Sequence, residues 1–152
     1  MNAYDPIDAL LAALAEKTGI DPLLVGEDGV SILSFDEVDV LLARDEQALI
    51  LFARLGTAPQ GDSDFLEALL AANLFWQETG GATLSLEPYS RTVVMARRLV
   101  RTELDSVDTV EAAIETLARS AIEWTRTIHG LAGASGAETT VAAALVASAQ
   151  RV

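Results

Sequence analysis

The sequence contains a single histidine, His129, the residue type most often used for proton transfer near neutral pH. A catalytic histidine needs an orienting partner and a nucleophile close by, and the surrounding sequence indicates neither. No serine lies in the G-x-S-x-G turn that exposes a hydrolase nucleophile. We therefore interpret His129 as a partly exposed residue near a helix end, where its cationic form is favoured.

Two acidic runs, "FDEVD" at 35–39 and "RDE" at 44–46, carry carboxylates that could bind a hard cation. They lack the spacing that wraps a calcium ion, and charges at strand edges that discourage aggregation explain them better. The glycine-rich stretch at 130–136 follows a helix, whereas a phosphate-binding loop follows a strand. The chain has no cysteine, which excludes disulfides and thiolate metal sites. We expect no metal, no cofactor and no enzymatic activity.

The net charge of the chain limits the kinds of molecule that it can bind. The formal net charge of −13 argues against binding to nucleic acid or to an anionic membrane, because both would be repelled. Four arginines form a local basic cluster: Arg91, Arg97, Arg98 and Arg101. We interpret the cluster as the solvated end of a strand; the alternative is that it binds an acidic segment of a partner. The N-terminal stretch has no basic leader, and no apolar run reaches membrane-spanning length, so we expect a cytoplasmic protein.

The elements that would position these residues alternate between helical and strand patterns. Short runs rich in Val, Ile, Leu and Phe, separated by short charged breaks or turns, predict hairpins and hence a largely antiparallel sheet. The predicted fold class is α+β, a twisted antiparallel sheet with three helices in the order α-β-β-β-α-β-β-α. The third strand is apolar almost throughout, which places it centrally or covers both its faces. The predicted elements are helix 5–17, strands 30–35, 37–43 and 48–55, a helix from 62–64 to the Gly80–Gly81 pair, strands 82–87 and 92–100, and helix 106–128.

The middle helix, "DFLEALLAANLFWQETGG" at 64–81, is apolar on more than one side. A helix on the surface of a small domain usually has one apolar stripe, so a second stripe needs a second cover. The chain has few elements to supply it, and we predict a second copy of the chain; a buried central helix in a monomer is the alternative. The first stripe comprises Phe65, Leu69, Ala72 and Trp76, and the second comprises Leu66, Leu70 and Leu74.

Asn73 is a polar residue inside this apolar arc. A polar side chain in such a position can fix register, by bonding either across the two-fold axis or to a strand edge.

The stretch "LLAANLFWQETGGATLSLEP" followed by "TVVMARRL" resembles the class I chaperones of bacterial type III secretion, the CesT/Tir chaperone family. The family shows a Leu-Leu-x-x-Asn-Leu helix, a Gly-Gly-Ala-x-Leu strand, a short turn and an apolar strand. This chain departs from the pattern with Leu-Ser-Leu-Glu at 84–87, with Arg91 where a turn glycine is common, and with a longer C-terminal tail. The matching positions are Leu69, Leu70, Asn73, Leu74, Gly80, Gly81, Ala82, Leu84 and Leu86.

The resemblance implies a homodimer without catalytic residues, joined through the second helix and the strand after it. It divides the chain into a chaperone-like domain at 1–130 and an Ala/Gly-rich tail at 131–152, disordered or weakly helical. The predicted interface residues are Phe65, Leu66, Leu69, Leu70, Asn73, Leu74, Trp76, Leu84 and Leu86.

The resemblance also implies that the protein binds the N-terminal segment of a secreted effector in extended form and keeps it soluble and competent for secretion. Such binding needs apolar grooves and an exposed strand edge. The secretion ATPase is a further candidate partner. The alternative is a chaperone-like dimer that serves as a regulatory or scaffold protein and has no secreted client. The candidate effector-binding residues are Leu10, Leu11 and Leu14 on the first helix, and Ile32, Leu33 and Phe35 on the first strand.

Overall fold

The computed structural model describes residues 5–19 and 30–133. Within them, three α-helices accompany five strands, and the predicted α+β class and element order are confirmed. Two short 3-10 turns, Leu74–Trp76 and Arg101–Glu103, lie between the main elements. The elements are α1 (Pro6–Thr18), β1 (Val30–Ser34), β2 (Asp39–Asp45), β3 (Ala48–Thr57), α2 (Ser63–Ala72), β4 (Thr83–Leu86), β5 (Thr92–Val100) and α3 (Val107–Gly133).

Helix α1 begins and ends where local chemistry requires. The Asp5 carboxylate accepts a hydrogen bond of 2.9 Å from the Ile7 backbone N–H, and Pro6 occupies the first turn, where a missing donor costs nothing. This backbone hydrogen bond is the main reason why the pKa of Asp5 is lowered. Gly19 ends the helix in the left-handed conformation, with φ of 68°.

The five strands form one antiparallel sheet in the order β1-β2-β3-β5-β4, so β1 and β4 are its edges. Strand β3 is central, as predicted. Its alternate residues Leu49, Leu51 and Leu55 are buried beneath the helices, whereas Phe52 is half-buried and Arg54 is exposed. The helices therefore cover one face of the sheet, and we call the other the open face.

Four of the five strands differ from their predicted bounds by one or two residues, and β2 is shifted by two residues at both ends. Strand β2 begins at Asp39 because Phe35 and Val38 exchange backbone hydrogen bonds that close the β1–β2 turn. It continues to Asp45 because the β2–β3 hairpin turns on the two residues that follow. The acids at 44–46 therefore belong to the hairpin itself.

Helix α3 continues to Gly133, beyond the predicted end near residue 128. Gly130 does not end it, because glycine weakens a helix without breaking it and Leu131 is buried against the core. From residue 134 onward the predicted tail lies outside the described residues. No helix in the described ranges has both the length and the apolar character needed to cross a membrane.

Candidate functional site

The first stripe of α2 belongs to the core of its own subunit. The Asp62 carboxylate caps the helix by accepting a hydrogen bond of 2.9 Å from the Phe65 N–H. Phe65, Leu69 and Ala72 then face the sheet, each at most 5% exposed. The side chains of Phe65 and Leu69, two of the predicted interface residues, are therefore covered within one chain.

Helix α2 ends at Ala72, which corrects the prediction that it extends to Gly80. A 3-10 turn follows, in which Phe75 and Trp76 adopt φ values of 56° and 55°. The left-handed conformation costs about 1–2 kcal/mol per residue for side chains of this kind. Trp76 consequently leaves the first stripe, and 54% of its surface is exposed.

The side chain of Asn73 joins the end of α2 to the edge strand β4. Its Nδ2 donates to the Leu84 carbonyl oxygen at 3.0 Å, and its Oδ1 accepts from the Leu84 N–H at 2.8 Å. The amide thus pairs with β4 as a neighbouring strand would, while Leu84 pairs with Met95 on the other side. Of the two roles predicted for Asn73, the structure shows the bond to a strand edge.

The connection from Asn73 to β4 is packed on helix α3. The Trp124 indole N–H donates to the Glu78 carbonyl oxygen at 3.2 Å. Thr79 is buried, and its hydroxyl donates to the Ala82 carbonyl oxygen. Gly80 has a φ of 62°, and a Cβ there would lie 2.8 Å from the Ser120 hydroxyl oxygen. The position and shape of this connection are therefore fixed by α3.

We expect Gly80→Ala to lower the free energy of unfolding by about 1–2 kcal/mol, because alanine is strained at a left-handed φ. Adding Ser120→Ala should recover the part of this loss that comes from the contact with Ser120. Urea denaturation of both single variants and the double variant measures this coupling. Additive effects would show that Gly80 does not approach Ser120 as closely as the structure has it.

Four large apolar side chains on the exposed side of α2 and in the 3-10 turn after it are uncovered, and we call them the α2 patch. Leu66 lies half-buried beside it, whereas Leu84 is buried and Leu86 half-buried on the helix-covered face of β4. Large apolar side chains exposed close together in the sequence are typical of interaction surfaces. The patch comprises Leu70 (72% exposed), Leu74 (67%), Phe75 (74%) and Trp76 (54%).

The predicted effector-binding residues fall into two groups. Leu11, Leu14 and Leu33 are buried in the core, and Leu10 is half-buried against it. Ile32 and Phe35 are exposed, at 59% and 38%. Ile32 is accessible because alternate residues of β1 point to the open face, and Phe35 is accessible because it lies in the turn that follows β1.

Two cavities flank the end of β1. The helix-side cavity, of about 150 Å³, lies between α1, β1 and α3, and it is lined by Leu14, Leu33 and Ile114 with Glu111 and Glu115. The open-face cavity, of about 450 Å³, is lined by the residues Ile32, Asp36, Glu37, Val38, Asp39, Leu41 and Arg54. Phe35 lines both cavities.

Ion pairs hold the elements around these cavities. Lys17 on α1 donates to Asp108 at 2.7 Å and to Glu111 at 2.5 Å on α3, and these hydrogen bonds raise the pKa of Lys17. Arg126 binds both carboxylate oxygens of Glu37, at 3.1 and 2.6 Å, which raises the pKa of Arg126.

The residues first considered for chemistry are dispersed. His129 is exposed on α3, and the described part of the chain contains no group of three side chains able to hold a metal ion. Arg91 has a φ of 58°, at the position where the resemblance expects a turn glycine, and its guanidinium donates to backbone carbonyls of Ala58 and Pro59. Arg98 pairs with Asp45.

Sequence comparison finds chaperones of one kind. The "Tir chaperone" of Citrobacter freundii is 27% identical over 117 residues, which cover 74% of this chain and 73% of that protein. The "Tir chaperone" of Escherichia coli O157:H7 is 28% identical over 93 residues. The chain matches only 60% of the length of this second relative.

Solved structures show the same fold. A chain of the ExsC–ExsE complex superposes with a TM-score of 0.69 and 23% identity, covering 84% of this chain and 97% of that one. A chain of the HopA1–SchA chaperone–effector complex superposes with a TM-score of 0.63 and 22% sequence identity. The match covers 83% of this chain and 98% of that one. Residues 9–125 match the Tir chaperone protein (CesT) family, and the chain belongs to this family.

Proposed function

We propose that the protein is a type III secretion chaperone that acts as a homodimer in the bacterial cytoplasm. It binds the N-terminal segment of a secreted effector in extended form and keeps that segment soluble and competent for export. The observation that carries this proposal is the edge strand β1 with the turn after it, where the exposed Ile32 lines the open-face cavity and Phe35 lines both cavities. Family membership supports it, because the family is one of chaperones and not of enzymes.

The α2 patch supports the dimer. Burying a large apolar side chain contributes about 1.5–3 kcal/mol, so its four members contribute roughly 6–12 kcal/mol per subunit before ordering costs. A two-fold axis through this surface brings the same side chains together from both subunits. Leu66, one helical turn before Leu70, is half-buried in one chain and extends this surface along α2.

The outer edge of β1 supports binding of an extended client. Phe35 and Val38 exchange hydrogen bonds, and such pairs alternate along an antiparallel ladder, so the main-chain groups of Ile32 and Ser34 point away from β2. Within the described residues, no strand pairs with β1 on that side. A client segment can therefore extend the sheet by main-chain hydrogen bonds.

Related complexes support the kind of partner. The HopA1–SchA structure is described as a chaperone–effector complex, and SycH of Yersinia pestis was solved with a fragment of YscM2. By analogy, we assign this chain a secreted protein as its client. The secretion ATPase remains a candidate partner for which we propose no surface.

Co-expression with the N-terminal segment of a secreted protein encoded beside this chain tests the proposal. We expect a stable complex of two chaperone chains with one client segment, measured by light scattering, and a segment that is insoluble when expressed alone. A client-free dimer in every such pairing would instead favour the regulatory or scaffold alternative.

Ile32→Pro provides a sharper form of this test. Proline removes only the outward-facing N–H of residue 32, so the β1–β2 ladder is kept while main-chain pairing with a client is blocked. We expect client binding to be lost with little change in thermal stability. Ile32→Ala, which keeps the N–H, is the matched control and should retain most of the binding. Equal binding by the proline variant would exclude strand addition at β1.

A further inference from the structure

The two cavities lie on opposite faces of the sheet at the same edge strand. The helix-side cavity has an apolar floor formed by Leu14, Leu33 and Ile114. The open-face cavity has apolar walls formed by Ile32 and Leu41. Phe35 separates the two because it lines both. A client strand paired with β1 would therefore meet a different pocket on each of its faces.

The geometry of a β-strand predicts which neighbouring client residues face each cavity. Successive side chains of a strand point to opposite faces, so a residue facing one cavity is followed directly by a residue facing the other. The helix-side cavity, of about 150 Å³, matches in volume an engineered apolar cavity that binds benzene, so it suits one apolar side chain.

The open-face cavity is distinguished by its larger volume and its number of unpaired carboxylates, not by charge alone, because the helix-side cavity also has two carboxylates, Glu111 (bound by Lys17) and Glu115. Three carboxylates and one cation, Arg54, are among the residues that line the open-face cavity. Glu37 is bound by Arg126, whereas Asp36 and Asp39 form no ion pair within residues 5–19 and 30–133. Apolar walls beneath free carboxylates suit a lysine or arginine, whose aliphatic stem packs while its charge stays at the rim. The net charge of −13 also favours a basic client segment.

We propose that the client segment is selected by a two-face pattern: an apolar residue for the helix-side cavity and, directly adjacent to it, a lysine or arginine for the open-face cavity. This inference rests on the proposed function, because it specifies which extended segment pairs with β1. Main-chain hydrogen bonds alone would allow the client strand to pair with β1 in several registers. Shape and charge complementarity on the two faces then select one of them.

Labelled peptides in a Thr/Val host test the pattern by fluorescence anisotropy with the full chain. The first peptide carries adjacent Leu-Lys, and the second carries Leu-Thr-Lys, which has the same composition but places both side chains on one face. We expect the first to bind about three- to fivefold more tightly, the upper part of the range for an exposed charge interaction. Replacing its lysine by glutamate should weaken binding further.

Variants of the protein assign the effect to the open-face cavity. Asp36→Asn with Asp39→Asn should abolish the preference for Leu-Lys over Leu-Thr-Lys. The control variant, Asp45→Asn with Glu46→Gln, also removes two carboxylates, but at the opposite end of β2. It should leave the preference intact. This control separates a local charge contact from the overall acidity of the protein.

The outcomes separate this inference from the proposed function. Equal binding of both peptides, or an unchanged preference in the Asp36/Asp39 variant, would overturn the selection rule while strand addition still stands. If neither the peptides nor any client segment binds, both the rule and the proposed function fail.

Discussion

Replacing Leu70 and Leu74 together by aspartate is expected to convert the proposed dimer into folded monomers of 16.1 kDa. Both side chains are at least 67% exposed in one chain, so the substitution leaves the subunit core unchanged. In a two-fold interface each change occurs twice, and four leucines at about 1.5–3 kcal/mol each are lost. Unpaired carboxylates that must be buried would add to this loss. Light scattering at micromolar concentration measures the mass.

Tyr89→Asp is the matched control. Tyr89 is 96% exposed in the turn between β4 and β5, so its replacement introduces a surface carboxylate, one per subunit where the Leu70/Leu74 variant introduces two, without changing the α2 patch. We expect its mass to equal that of the unmodified protein, and both variants to keep their secondary structure by circular dichroism. A dimeric Leu70/Leu74 variant would show that α2 does not form the interface.

The element order follows from the sequence because each strand run is short, rich in apolar residues and bounded by turn or charged residues. The central position of β3 is equally readable from its pattern. Residues 48–55 are apolar at nearly every position, which predicts a central strand or one covered on both faces, and the structure shows a central strand. The local sequence pattern and the observed sheet agree for the element order and for β3, so both predictions are confirmed.

The end of α2 could not be predicted from periodicity, because the apolar spacing continues past the true end at Ala72. The interruption comes from a tertiary contact, the hydrogen bonds of Asn73 to Leu84, which a helical wheel does not contain. The single available signal was an asparagine inside an apolar arc.

Periodicity also could not separate core from surface among apolar residues. The predicted effector-binding residues are all large and apolar, so the sequence does not distinguish them. The structure buries Leu11, Leu14 and Leu33 and exposes Ile32 and Phe35. Whether an apolar side chain is covered depends on where α1 and α3 pack across the sheet. That packing involves residues about ninety positions apart, as the bond from Lys17 to Asp108 shows.

Asn73→Ala is expected to lower the free energy of unfolding by about 2–3 kcal/mol. Two hydrogen bonds are lost, and the Leu84 N–H and carbonyl oxygen lose their partner in a half-buried site. For a chain of this size the melting temperature should fall by roughly 5–10 °C. Measurement in the Leu70/Leu74 aspartate background removes the contribution of dimerisation to apparent stability.

Hydrogen exchange at Leu84 distinguishes loss of this contact from general destabilisation. Since the Leu84 N–H donates to Asn73, its protection should disappear in the alanine variant, while amides of the central strand β3 stay protected. Ser85→Ala, which removes only an exposed side-chain hydrogen bond of 3.3 Å on the same strand, should change stability by less than about 0.5 kcal/mol. Retained protection at Leu84 would mean that Asn73 does not hold β4 in place, and that the edge strand of the proposed interface is positioned by its pairing with β5 alone.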